Sequence, residues 1–234
     1  MKEHVLNKIS NSFLSGGVNT FVNPYSYLML RKTPDVLNGV DRILVDGQLM
    51  VRLLSWLGVS SVTRKSFDMT SLAPIVFQNT IDSKGTICFV GSKVEEVEAS
   101  MLIIAEAFPA LNIVYFRDGY FSGAERLAEL KKIRTLSPDV VIAGLGTPRQ
   151  EEFLIDLKKI GWNGTGFTCG GFLHQTASGI EYYPVWMDKL NLRWMYRIYD
   201  EPVLFKRYFW EYPKAVVQIV YDLKIKPAFS HLVS

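Results

Sequence analysis

Two short stretches carry residue types that could do chemistry. In "RILVDG" (42–47) an apolar run ends in Asp46 and Gly47. A carboxylate at the end of a strand can accept the proton of an attacking hydroxyl; it can equally make an Asx turn or cap a helix. In "VVIAGLGTPRQEEFL" (140–154) an apolar run gives way to Gly144 and Gly146, then to Pro148, Arg149 and Gln150. Glycines after a strand let a ligand approach the backbone, and a helix N-terminus offers free N–H groups to an anion. Arg149 could meet a phosphate and Gln150 a hydroxyl or a base edge; a tight turn with a solvated arginine is the other reading. A dinucleotide fingerprint is incomplete here, because its third glycine is missing.

An absence is equally informative. The chain contains no Asp-x-Asp, and His4, His174 and His231 are scattered without ligand spacing. No metal site and no cofactor are expected, so a diphosphate would have to be neutralised by arginines, lysines and helix N-termini. The C-terminal stretch can supply that charge. Residues 185–234 hold eight basic and five acidic side chains, whereas the remainder is neutral, and they hold 11 of the 30 aromatics. Arg193 and Arg197 are four apart, hence on one helical face, and Arg207 follows. A basic, aromatic tail suits an anionic and partly apolar partner.

The elements that must position these residues are legible from periodicity. Strand patterns at 86–91, 112–116, 139–146 and 165–171 alternate with helical patterns at 94–108, 124–133 and 149–160. Such alternation implies βαβ units, a parallel sheet, and ligands beyond the carboxyl ends of the strands. The expected class is α/β, a Rossmann-like parallel sheet flanked by helices with a helical C-terminal appendage. A catalytic body at 1–186 and an appendage at 187–234 are expected, the body standing as a soluble fold without its tail. Cys88 and Cys169 sit in apolar runs and read as buried thiols. No run reaches the roughly 18 apolar residues a membrane span needs, and no signal segment begins the chain.

Taken in order, several segments resemble the WecG/TagA/CpsF glycosyltransferases: "TFVNPYSY", "VDGQLMVRLL", "TRKSFDMTSL", "CFVGSKVEEVEAS", "FRDGYF", "GLGTPRQEEF", "CGGFL" and "RWMYRIYDEPVLFKRY", covering about residues 20–210. The resemblance implies an inverting transfer of a hexose-type sugar from a UDP-sugar to a lipid-linked diphosphate saccharide, for surface polysaccharide or teichoic acid. It implies Asp46 as catalytic base and Thr20, Asn23, Arg64 and Asp68 around the acceptor. Gly91, Asp118, Gly119, Tyr120, Gly144, Gly146, Arg149 and Gln150 are expected around the donor, and Arg193, Arg197 and Arg207 on the diphosphate. It also implies a peripheral protein at the inner face of the cell membrane, the tail closing over the site and touching the bilayer; homo-oligomerisation stays open. The chain departs from the family pattern at Phe67, Phe172-Leu173-His174, Tyr182-Tyr183-Pro184 and Arg193, which bears on the identity of the donor sugar.

Two other function classes fit the residues less well. A nicotinamide-dependent oxidoreductase is disfavoured by the broken fingerprint. A non-catalytic surface binder would not need Asp46, and a net charge of only +3 with no basic stripe on the body disfavours nucleic acid.

Overall fold

A computed structural model describes residues 8–59, 61–183, 187 and 192–225. The expected boundary between body and tail falls among residues 184–191, of which only 187 is described; His4, Lys226 and His231 also lie outside the described residues.

Six strands form one parallel sheet: β1 (Val18–Val22), β2 (Arg42–Val45), β3 (Thr86–Gly91), β4 (Asn112–Arg117), β5 (Val140–Gly144) and β6 (Thr165–Thr168), in the order β2-β1-β6-β5-β3-β4. Between β1 and β2 lie α1 (Pro24–Leu30) and α2 (Pro34–Gly39). Next come α3 (Gln48–Trp56) and α4 (Leu72–Asp82), which carry the chain from one edge of the sheet to its other half. The remaining crossovers are α5 (Val94–Ala107), α6 (Gly123–Leu136) and α7 (Arg149–Lys159). After β6 follow α8 (Phe172–Ala177) and α9 (Arg193–Asp200). A last helical stretch comprises α10 (Leu204–Lys206), a π-helical turn (Arg207–Glu211), α11 (Tyr212–Val220) and a second π turn (Tyr221–Ile225).

The strands other than β4 are buried on both faces, which is why they read as continuous apolar runs rather than alternating ones, whereas β4 at the sheet edge leaves Val114 and Phe116 exposed. Successive residues still point to opposite sides. Val18, Val22, Ile43, Val45, Cys88, Val90, Val141 and Ala143 face one layer, with Leu30 of α1, Leu53 of α3, Ile133 of α6 and Phe153 of α7. Phe21, Leu44, Ile87, Phe89, Ile142 and Phe167 face the other, with Phe77 of α4, Ile104 of α5 and Phe172 of α8. Both cysteines are buried free thiols, and burial pushes their pKa values up.

The tail shares this core. Ala215 and Ile219 of α11 are fully buried, and Ile219 belongs to the first layer. Beyond them Asp222, with no exposed surface, accepts hydrogen bonds from Tyr27 Oη (2.7 Å) and Arg31 Nε (2.6 Å) of α1 and its cap. Removing α11 would therefore open the first layer to water.

Chain connections leave the middle of the sheet in opposite directions, β1 to β2 on one side and β3 to β4 on the other. That arrangement opens a crevice at the carboxyl ends, where open α/β sheets bind ligands.

Candidate active site

The carboxyl ends of β1, β2 and β6 form the floor of a cleft of about 1000 Å³, and the tail helices form its roof. Asp46 follows β2 directly, its backbone N–H held by Val22 O (2.9 Å), so the sheet itself aims the carboxylate at the cleft. Gly47 takes φ +83°, a left-handed conformation that suits glycine and turns the chain sharply into α3. Burial between floor and roof raises the Asp46 pKa, opposed chiefly by Arg64, whose Nε stands 3.8 Å from Asp46 Oδ1. The result is a carboxylate more basic than usual, which suits a proton acceptor.

Arg64 and Asp68 bind one another, Nη2 to Oδ2 at 2.9 Å. Asp68 is a hub: it also accepts from Ser66 Oγ (2.5 Å), Thr70 N (2.9 Å) and Arg193 Nη1 (3.0 Å). Burial disfavours its charge, but the hydroxyls and arginines outweigh that and hold the carboxyl below its usual range. Arg193, expected on a diphosphate, is thus engaged by Asp68 and by Thr70 Oγ1 (2.6 Å), with its guanidinium 5.0 Å from the Tyr183 ring. It ties the tail to the body at the cleft wall.

Arg197 and Arg207 face the cleft from the roof. Arg197 Nη2 lies 3.6 Å from Glu201 Oε1, while its buried Nε has no hydrogen-bond partner among the described residues. A buried, always-charged guanidinium with an unanswered N–H is suited to receive an anion. The Arg207 guanidinium sits 4.0 Å over the Tyr25 ring.

The glycine turn divides in two. Gly146 (φ +75°) and Gln150 line the cleft. Gln150 is buried; its Nε2 donates to Thr147 Oγ1 (3.1 Å) and its Oε1 accepts from Gly170 N (3.2 Å), which joins the β5–α7 turn to the β6–α8 turn. Arg149 instead points out of the α7 N-terminus as an exposed side chain away from the cleft lining. Gly91 and Gly144 serve close packing: a Cβ on Gly91 would lie 2.5 Å from Gly144 O, and one on Gly144 2.9 Å from Cys169 Sγ. Gly119 abuts Leu145 in the same way, Asp118 accepts from Tyr120 N in a turn (2.7 Å), and Tyr120 is exposed. Gly91, Asp118, Gly119 and Tyr120 stand at the ends of β3 and β4, the far side of the sheet, and Gly144 ends β5; none of them lines the cleft.

Of the residues expected around the acceptor, Asn23 lines the cleft while its Oδ1 caps α1 by accepting from Tyr25 N and Ser26 N. Thr20 lies beneath the floor, fully buried, and donates to Glu151 Oε1 (2.7 Å). Being mid-strand on β1, it points into the layer below, next to Thr168. Burial raises the Glu151 pKa, although hydrogen bonds from Thr20 and Gln150 oppose it.

Sequence spacing missed one cluster altogether. His174 of α8 lines the cleft, its Nδ1 3.0 Å from Glu96 Oε1 of α5 and its Nε2 3.3 Å from Asp200 Oδ2, with Glu201 Oε1 at 3.8 Å. Burial works against the imidazolium, but the Glu96 hydrogen bond and the charges of Glu201 and Glu96 outweigh it, raising the pKa. His174, Asp200 and Glu201 together could hold a divalent cation, their ligand atoms lying within 4.8 Å; the protonated ring balances the same charges. The one signal in the sequence was the position of His174 just past the glycine pair that ends β6. Phe67, another departure from the family pattern, is buried among Phe21, Phe167 and Phe172 below the cleft.

What this arrangement can do is hold a basic carboxylate opposite cationic groups across an enclosed, partly apolar space. The profile of the "Glycosyl transferase WecG/TagA/CpsF family" matches residues 1–228. A UDP-Gal:alpha-D-GlcNAc-diphosphoundecaprenol beta-1,4-galactosyltransferase of Shigella boydii is 36% identical over 221 residues, covering 94% of this chain and 93% of its own. An N-acetylglucosaminyldiphosphoundecaprenol N-acetyl-beta-D-mannosaminyltransferase of Bacillus subtilis (strain 168) is 27% identical over 221 residues, 92% and 83% of the two chains.

Proposed function

The chain belongs to the WecG/TagA/CpsF glycosyltransferase family, and from that premise we propose that it moves a hexose-type sugar from a UDP-sugar to a saccharide carried on a polyprenyl diphosphate. One observation carries the reading: Asp46 faces the tail arginines Arg197 and Arg207 across a single cleft. The Asp46 carboxylate takes the proton of the acceptor hydroxyl as its oxygen attacks the anomeric carbon. The bond from that carbon to the diphosphate breaks on the opposite face, so the configuration inverts. UDP departs with the electron pair, its charge met by the arginines and by the N–H groups of the β5–α7 turn. Arg64, beside Asp46, keeps the carboxylate oriented and stands with Asn23 on the acceptor side.

The reading includes a peripheral position at the cytoplasmic membrane face. Among the described residues no helix is long and apolar enough to cross a membrane. Trp194, Phe205, Phe209 and Trp210 are exposed on the tail, which also carries Lys206, Lys214 and Lys224. Each basic residue near an anionic surface is worth about 1 kcal/mol, enough for salt-sensitive attachment. Leu204, adjacent to Phe205 in sequence, is buried.

The test is transfer from UDP-hexoses and UDP-N-acetylhexosamines to a GlcNAc-diphosphate-lipid, with the anomeric configuration of the product read by NMR. Activity is expected to persist in EDTA, since arginines supply the charge. Retention of configuration, or loss in EDTA with recovery on adding Mn²⁺, would contradict the mechanism.

A further inference from the structure

We infer that a groove between α3 and α11 receives the polyprenyl chain of the acceptor, a step that rests on the transfer reading above. The cleft continues outward between these two helices, where Leu49 and Arg52 of α3 and Pro213, Val216 and Val217 of α11 line it. On α3, Leu49, Arg52 and Trp56 recur at three and four residues and so share one face; Pro213 and Val217 do the same on α11. Leu49, Trp56 and Val217 are 46%, 66% and 70% exposed. The core-facing stripes of the same helices, Leu53 and Leu54 on one and Ala215 and Ile219 on the other, are already buried. Each helix therefore carries apolar side chains that the fold does not cover, Leu49 and Trp56 flanking Arg52 on α3 and Val217 on α11, and such a patch marks an interaction site.

The order of groups along the groove selects its occupant. Arg197 and Arg207 stand within the cleft, the apolar track follows, and at the outer end Lys224 Nζ lies 5.3 Å from the Trp56 ring. An aromatic–cation pair of this kind suits the polar boundary of a bilayer. An anionic head inside and a hydrocarbon tail leading to the membrane describe a lipid diphosphate. Seven residues of α3 at the helical rise give a track of about 10 Å, so only the first part of a long chain lies on the protein and the remainder stays in the bilayer.

The experiment uses the full chain in detergent micelles, with a GlcNAc-diphosphate on a polyprenyl chain and the same head on a short soluble alkyl chain. Wild type is expected to favour the long chain in kcat/KM by roughly tenfold or more. The double variant Leu49→Asp with Val217→Asp is expected to abolish most of that ratio; both side chains are exposed, so the fold keeps its core. Direct binding of polyprenyl and short-chain diphosphates, without sugar donor, separates the groove from catalysis. Long-chain preference in binding without any sugar transfer would leave the groove standing and remove the transfer reading. Equal binding of the two chains, or an unchanged ratio in the double variant, would overturn the groove even if transfer proceeds. If the variant loses only liposome attachment, the stripe meets bilayer lipid and the assignment to the acceptor chain falls.

Discussion

Arg64 Nε stands 3.8 Å from Asp46 Oδ1, close enough to steady the carboxylate and too far for a hydrogen bond. Were the pair tighter, Asp46 would be a weaker base. Asp46→Asn is expected to lower turnover by roughly 10²–10⁴-fold while UDP affinity stays near wild type. Because burial raises the Asp46 pKa, kcat/KM should climb with pH through a value above the ordinary carboxylate pKa of about 3.9. A purified Asn variant with full turnover would remove Asp46 from the mechanism.

His174 should govern the alkaline side. Its pKa is raised in the fold, so the stabilisation from the Glu96 and Asp200 contacts is complete below the ordinary histidine pKa of about 6.5 and is lost as pH rises through the folded value. His174→Phe is expected to lower thermal stability at pH 6 and to narrow the difference from wild type at high pH. A stability gap that stays constant from pH 6 to 9 would mean that the ring's charge plays no part.

Gly146→Val tests the donor turn. A Cβ there meets nothing within 4 Å, but φ +75° is unfavourable for a β-branched residue. Backbone strain should cost about 1–3 kcal/mol, and the branched side chain should project into the cleft and weaken UDP binding. Calorimetric titration showing unchanged UDP affinity in a folded variant would make the turn purely structural.

At the tail, Asp222→Ala removes the carboxylate that accepts from Tyr27, Arg31 and Gln218. Breaking a buried pair costs roughly 3–5 kcal/mol, and the lower end applies because Arg31 keeps contact with water. Chemical denaturation is expected to register that loss together with a fall in activity, since α11 carries part of the cleft roof. Truncation before α9 should give an aggregating product rather than a soluble body; a monomeric, cooperatively folding truncation would contradict the shared core.

The strands at 86–91 and 112–116, the helix at 149–160 and the position of Asp46 at a strand end are consequences of local pattern: apolar runs, glycines and helix formers next to one another in sequence determine them. The placement of the arginines is different in kind. Arg193 meets Asp68 across 125 residues, a pairing that charge and spacing alone leave open. His174 gains Glu96 and Asp200 from two other elements, so its scattered position in the sequence hid the cluster. Gly91, Gly119 and Gly144 look like ligand glycines because local sequence does not distinguish a backbone approached by a ligand from one approached by another strand. The sheet order sets β3 and β4 away from the cleft and β6 beside β1. The periodicity of α11 likewise announced an amphipathic helix, but only packing against α1 determined that one face joins the core while the other stays open.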